Sequence, residues 1–390
     1  MSVRTINPPL TILQFAKGIH VKSRYLKIVV FILLASLTIS GCGDSNKAKS
    51  KYSFVGEELV VGSFGGALGT QMRNLAGDII ESLTGADVRF VHGTSRTHLK
   101  ALIDAKKKGE KPPFDVVLLD GVVLQPAEEM DLLVKAIEED IPQMEHLINQ
   151  AMPQGNYGPA FQFFSVGIAY DYAALATAGI AEPTSWGDFW KPELKGHVAI
   201  PGIYHTAGID FVMAATQIAG GNPTSLDGMK KGIDLINKLE PAMVYHKMVP
   251  LRERLDAGEI WMFPVYNSRA YNWISKGSRI RFCYPKERGF GHLTTISTVK
   301  GTKKKRLADM FVNLVLTQGY QYAQAIETPF GPVNGQVMGP LGAFPKISER
   351  FPLGEAGLDK LVIPPWKAIN AIRPDVEKYW FAKFPEPEKK

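Results

Sequence analysis

LVVGSFGG at residues 59–66 and FDVVLLDG at residues 114–121 decide the reading of the fold. Each is an apolar run of strand length, stopped by Gly-Gly in one case and Asp-Gly in the other. Between them, residues 69–83 (GTQMRNLAGDIIESL) place Met72, Leu75, Ile79, Ile80 and Leu83 at helical spacing. Residues 88–92 (VRFVH) predict a second strand, and residues 95–108 (SRTHLKALIDAKKK) a helix with Ser95 as its N-cap. Strand, helix, strand, helix, strand is the order of an α/β fold with a mostly parallel sheet and helices on both faces. Such sheets bind ligands beyond the carboxyl ends of their strands. Gly65, Gly66, Ser95 and Asp120 stand at such ends and are candidate ligand-facing residues. Gly65-Gly66 also reads as a plain tight turn, and Asp120 as a helix cap.

Farther along, residues 160–170 (AFQFFSVGIAY) are extended, and Thr184–Trp190 (TSWGDFW) opens a helical turn. His197–Ile200 begins a second α/β series that runs to about residue 282, and Arg279–Tyr284 (RIRFCY) is a strand. Residues 305–325 predict one long amphipathic helix with Leu307, Met310, Phe311, Leu314 and Val315 inward. The tail after PFGPVN (329–334) is rich in Pro and Gly and reads as extended. Trp186, Trp190 and Trp261 are expected to pack in the core. Cys283, in an apolar strand, is expected to be a buried small hydrophobe.

The N-terminus reads as an address. Residues 28–39 (IVVFILLASLTI) are twelve uncharged residues behind Lys22, Arg24 and Lys27. That is short for a membrane span and right for the apolar region of a signal peptide. Ile39-Ser40-Gly41-Cys42 resembles the bacterial lipobox, which makes Cys42 the expected lipidation site; an unmodified membrane anchor is the alternative. Gly43 follows, and the sequence leaves inner and outer membrane both open. Val21 is an alternative start. Residues 42–57 read as a flexible tether. The chain carries a formal charge of +7, but five basic residues and no acid fall within residues 1–41. Without them, 40 basic residues face 38 acidic ones, which gives no electrostatic case for nucleic acid. GxSxG, HExxH, P-loop and CxxC motifs are all missing, so no enzyme class and no cofactor is indicated.

Seven segments in order resemble the extracellular solute-binding proteins of ABC importers, nearest the spermidine/putrescine-binding branch. They are the opening strand with FGG, FDVVLLDG, PAFQFFSVGIAYD, TSWGDFWKPELKGHVAIP, AGEIWMFPVYNSRAY, RIRFCYPKERGFGHL and ETPFGPVN. In the fourth, Trp186, Trp190, Pro192, Lys195, Gly196 and Pro201 carry the match. The resemblance covers roughly residues 58–345. It implies a two-lobed periplasmic-binding-protein fold (type II), each lobe a mostly parallel sheet with flanking helices, and a ligand in the cleft between them. Lobe 1 is expected at 58–162 and 296–390, lobe 2 at 163–295, and residues 1–41 as a lipoprotein signal peptide. The partners implied are a small-molecule ligand, an ABC permease and a membrane reached through lipidated Cys42, with the protein itself a monomer on the periplasmic face.

Polyamine binders of this family pair ammonium groups with acids. Here Thr294 and His292 stand where an acid and a tryptophan are usual, and Tyr204-His205-Thr206 where another acid is expected. The remaining set is Ser63, Ser95, His205, Thr206, Tyr266, Asn267, Arg269 and His292. It is rich in donors and suits a polar or anionic organic solute, with Arg as the fork for its oxygens. Arg269 reads equally as a salt-bridge partner, and Tyr266 and Asn267 as packing. Arg288 replaces the family's glycine and points either to the cleft or to solvent. The alternatives are a polyamine ligand, a ferric-ion binder using Tyr170 and Tyr172, and a binding protein repurposed for an apolar lipid or as a sensor partner.

Overall fold

The computed structural model describes residues 53–153, 155–353 and 357–385. The signal peptide, Cys42 and most of the expected tether lie outside them. Strand β1 (Glu58–Phe64) is followed by helix α1 (Gly66–Met72), a π-turn at Arg73–Gly77 and α2 (Asp78–Thr84). β2 (Asp87–Gly93), α3 (Ser95–Lys108), β3 (Val116–Asp120) and α4 (Gly121–Glu129) complete the first series. The long strand β4 (Ala160–Asp171) leads through α5 (Tyr172–Thr177) to β5 (Ala199–Pro201), α6 (Thr206–Ile218), α7 (Leu226–Asn237), β6 (Met243–Tyr245) and α8 (Met248–Asp256). β7 (Met262–Tyr266), α9 (Asn267–Ile274), β8 (Ile280–Cys283) and the second long strand β9 (Gly289–Thr298) follow. The chain closes with α10 (Lys305–Leu316), α11 (Gln318–Glu327), α12 (Gly335–Gly342), α13 (Pro345–Ser348), β10 (Leu361–Val362) and α14 (Trp366–Lys383).

Among the described residues eight strands join one sheet, with β2-β1-β3-β9-β4-β7 in order and β8 and β10 at its sides. β1 pairs parallel with β2 and β3, and β5 parallel with β6. β9 and β4 pair antiparallel to each other and tie the two series together. The first half of β4 lies on β9, and the second half on β7 and β8. That division of partners makes these strands the crossing between the two halves.

The motif segments brace one another. Ser185 caps the turn Trp186–Trp190 in a capping box with Asp188. Its hydroxyl also donates to Glu287 Oε1 at 2.6 Å, and the Trp186 N–H to Glu287 Oε2 at 3.1 Å. TSWGDFW is thereby fastened to PKERG on the return crossing. Trp186 is fully buried, with its ring 6.2 Å from Phe211 and 6.0 Å from Phe290. Arg288 holds φ at +76°, a region that glycine enters freely, and its exposed side chain turns to solvent. Cys283 is partly buried, its thiol pushed up to about 12 by burial.

Three expectations change. Residues 305–325 are two helices, because Thr317 turns extended and caps α11 through the Tyr320 N–H. The break leaves Asn334 Nδ2 to satisfy the Leu316 carbonyl at 3.0 Å. The cap of α3 is Thr94, in a capping box with Thr97, and not Ser95. The tail is not mainly extended: α14 is an 18-residue helix despite Pro374 inside it. Its buried residues Trp366, Ile369, Arg373, Val376 and Trp380 recur every three or four positions, the stripe that anchors a helix to a core.

Candidate functional site

β4 and β9 make the floor of the site. Alternate residues of a strand share a face, so Gln162 and Phe164 stand beside His292 and Thr294 on one side. Phe163 and Leu293 turn the other way, into a separate apolar cluster. Phe164 is opposite His292 in the register, and their rings stack with centroids 5.1 Å apart.

β3 delivers Asp120 opposite Thr294. The Thr294 hydroxyl donates to Asp120 Oδ1 at 3.3 Å, and the Ser95 hydroxyl to Oδ2 at 2.8 Å. Gln162 Nε2 donates to Thr294 Oγ1 at 3.3 Å, and Gln324 of α11 fixes Gln162 by donating to its Oε1 at 2.8 Å. From the other half, α6 contributes Asp210, which is fully buried. Its Oδ2 lies 2.7 Å from His292 Nε2, and its Oδ1 has no hydrogen-bond partner among the described residues. Tyr266, at the end of β7, meets Phe164 edge-on at 5.5 Å, and its hydroxyl accepts the Ala207 N–H at 3.4 Å. Trp366 opens α14 with its ring 5.7 Å from His292.

Both carboxyls carry pKa values above the usual range. Burial is the main cause at each, opposed at Asp120 by the Ser95 and Thr294 hydrogen bonds and at Asp210 by His292 and then Arg373. Burial likewise pushes the Tyr266 hydroxyl up to about 12. The two carboxyl groups thus stand on opposite sides of His292 and Thr294, one from each series of strands and helices. Among the described residues no group of three His, Cys, Asp or Glu could hold a metal ion.

Of the candidates, the fold brings together Ser95, Asp120, Tyr266 and His292, with Thr206 joined to them through the Tyr266 hydroxyl. Others are placed elsewhere. Ser63 is buried against His92, Oγ to Nδ1 at 3.2 Å. Gly65 and Gly66 are exposed at the start of α1; Gly66 has φ +71°, and an added Cβ would meet nothing within 4 Å, so its requirement is the turn. His205 is engaged with the His246 carbonyl at 2.8 Å. Asn267 is fully buried as a brace: Oδ1 accepts the Ser165 N–H at 2.9 Å, and Nδ2 donates to the Pro329 and Arg350 carbonyls at 3.2 and 2.8 Å. Arg269 is exposed on α9.

A family model described as "Bacterial extracellular solute-binding protein" matches residues 77–339, about two thirds of the chain, and spans β4, β9, Ser95, Asp120, Asp210, Tyr266 and His292. The chain belongs to this family. As a solute-binding protein it is a non-catalytic binder, and its family places it outside the cytoplasm. It is 26% identical to the gamma-aminobutyric acid-binding protein of Pseudomonas aeruginosa over 216 residues, 52% of this chain and 56% of the relative. It is 27% identical to the spermidine/putrescine-binding periplasmic protein of Escherichia coli over 135 residues, 34% of this chain and 38% of the relative. The matched stretches thus span about half or less of these curated relatives. The solute-binding protein also superposes on an ABC transporter structure from Clostridium perfringens, with TM-score 0.71 and 24% identity over 83% of this chain and 99% of that one. For an ABC transporter substrate-binding protein from Bradyrhizobium japonicum the TM-score is 0.70 at 20% identity, over 84% of this chain and 99% of that one. These likenesses show the two-lobed α/β fold.

Sequence reasoning missed Asp210, Phe164, Gln162 and Trp366. Asp210 lies on α6, one helical turn beyond Thr206. Its signal was available: in TAGIDFVMAATQI it is the lone charge in a helix buried along most of its length. Trp366 was hidden because its helix follows a run of prolines.

Proposed function

We propose that this solute-binding protein is the capture component of an ABC importer and holds a small organic solute through an ammonium group in the cleft between its lobes. The observation that carries the ligand class is Asp210. It is a fully buried acid with one oxygen on His292 and the other without a hydrogen-bond partner among the described residues. The sequence, with Asp120 as its one acidic candidate, suggested a polar or anionic solute; Asp210 beside it favours an amine. Both curated relatives are named for ligands that bear amino groups, which agrees with this reading.

Lobe 1 takes residues 58–162 with 296 onward, and lobe 2 takes 163–295. The hinge lies where β4 and β9 exchange partners, and α14 packs against α7 of lobe 2 as well as α4 of lobe 1. Closure about the hinge buries the ligand and presents the closed form to the permease. Lipidated Cys42 holds the monomeric protein at the membrane, two acyl chains being enough for a stable anchor. Replacing Cys42 with Ser should move the protein from the membrane fraction to the soluble one; retention in the membrane would point to an uncleaved span.

A thermal-shift screen of the purified protein against amines, amino acids, dicarboxylates and phosphonates tests the ligand class. A ligand at a hundred times its Kd adds about 2.7 kcal/mol of stability. Amino-bearing compounds are expected to raise the melting temperature; a shift with dicarboxylates or phosphonates alone would overturn the reading.

A further inference from the structure

The C-terminal helix carries a charge that the cleft floor does not use. Arg373 is only 8% exposed. Its Nε donates to Glu377 Oε1 at 2.6 Å, but its Nη2 is buried without a hydrogen-bond partner among the described residues. A guanidinium N–H removed from water and left unpaired is costly, and such groups are rare unless something is meant to meet them. Trp366 and Arg373 are seven residues apart and so lie on one face, two turns from each other. Trp366 at one end of that face reaches His292, and Asn370 between them donates to the Val122 carbonyl of α4 at 2.9 Å.

Arg373 acts electrostatically on two further groups. Its field acts on Asp210, the acid whose Oδ1 is unpaired, and on Arg96. Arg96 directly follows Ser95, whose hydroxyl holds Asp120. Burial foremost, and then repulsion from Arg373, lowers the Arg96 pKa against the opposing pull of Glu377. The cleft therefore has an unpaired buried acceptor on one residue and an unpaired buried donor on another, with a second guanidinium nearby. A planar fork of this kind fits a carboxylate.

We propose that Arg373, assisted by Arg96, receives the carboxylate of a zwitterionic amino acid whose ammonium group lies at Asp210 and Asp120, so that the C-terminal helix sets the preference for an amino acid over a diamine. This inference rests on the ammonium reading of the cleft and adds the opposite end of the ligand.

γ-Aminobutyrate and putrescine share a four-carbon chain and differ at one terminus, so calorimetric titration with both isolates the carboxylate. The expected result is that Arg373→Gln weakens γ-aminobutyrate at least tenfold and leaves putrescine unchanged or tighter. Arg96→Gln should shift the same ratio by a smaller factor. Equal weakening of both ligands, or of neither, would make Arg373 a purely structural residue and overturn the proposal. Should Arg373→Gln fail to fold, Arg373→Lys and Arg96→Gln carry the test by the same ratio. If the wild type takes putrescine and no amino acid, the carboxylate site is wrong while the ammonium reading stands. If neither diamines nor amino acids from glycine to longer ω-amino acids bind, both readings fall.

Discussion

Asp210 concentrates the conflict between stability and binding. Removing a carboxylate from water while satisfying only one oxygen disfavours its charged form, and the raised pKa records that cost. Asp210→Asn keeps an acceptor for His292 and discards the charge. It should raise the stability of the unliganded protein by about 1 kcal/mol, as relief of a strained site commonly does. It should also weaken amine binding by more than tenfold; calorimetry and thermal melts read both. The pH dependence follows from the same shift. Protonation of Asp120 and Asp210 competes with an ammonium ligand, so affinity should fall as pH drops, beginning above the usual carboxyl pKa of about 4. For stability the sign is reversed. The folded state takes up these protons more readily than the unfolded one, so these two groups favour folding more as pH falls through their raised values. His98 works in the opposite sense. It is 2% exposed, between the rings of Phe64 and Phe114, and burial pushes its imidazole pKa down. Its contribution is intact above the unfolded value of about 6.5 and is lost as pH falls below it. His98→Phe should therefore flatten the decline in melting temperature between pH ~7 and ~5; an unchanged slope would assign that decline to other groups.

At the scale of elements, α14 shows how packing overrides a local signal. Pro374 removes one helix hydrogen bond and crowds the carbonyl four residues earlier. The helix forms nonetheless, because its buried stripe seats on α4 and α7. Trp380 is 1% exposed, with its ring 4.4 Å from Phe384. Trp380→Ala should cost about 3–5 kcal/mol in chemical denaturation. Lys383→Ala, which loses a surface pair with Asp234 at 3.5 Å, should cost less than about 1 kcal/mol. Similar losses for both would mean that the helix is held by its charges and not by its stripe. The split between α10 and α11 teaches the reverse lesson. Apolar spacing runs on through residue 317, and periodicity alone could not register that a threonine would cap the next helix there.

For the whole molecule, the crossing strands are the mechanical centre. β4 and β9 carry the floor of the site on one face and divide their partners between the halves. Under the proposed hinge, a rotation that bends them would change the distance between Asp120 and Asp210 and so couple ligand contact to lobe closure. Small-angle scattering should show a smaller radius of gyration when an amine or amino acid that binds is added. A radius that stays constant at saturating ligand would argue against hinge closure. Asn267 belongs to this scale too. It ties β4 to the segments at Pro329 and Arg350, and its buried amide holds the crossing in place through three backbone hydrogen bonds.

The α/β class and the family are legible in the chain alone. Alternating apolar runs, glycine stops and the order of motif segments are local patterns, and local patterns survive in one dimension. Of the candidates read from the sequence, Asp120, Ser95, Tyr266 and His292 fall close together in the fold. Which polar residues come together is set by packing. Asp210 sits inside an apolar helix and meets His292 across 82 positions of sequence. Asn267, which reads like a ligand contact, spends every hydrogen bond on backbone up to 83 positions away. Such partnerships are set by how layers stack and by which buried groups find no other partner, and neither is written in the spacing of residues along a chain.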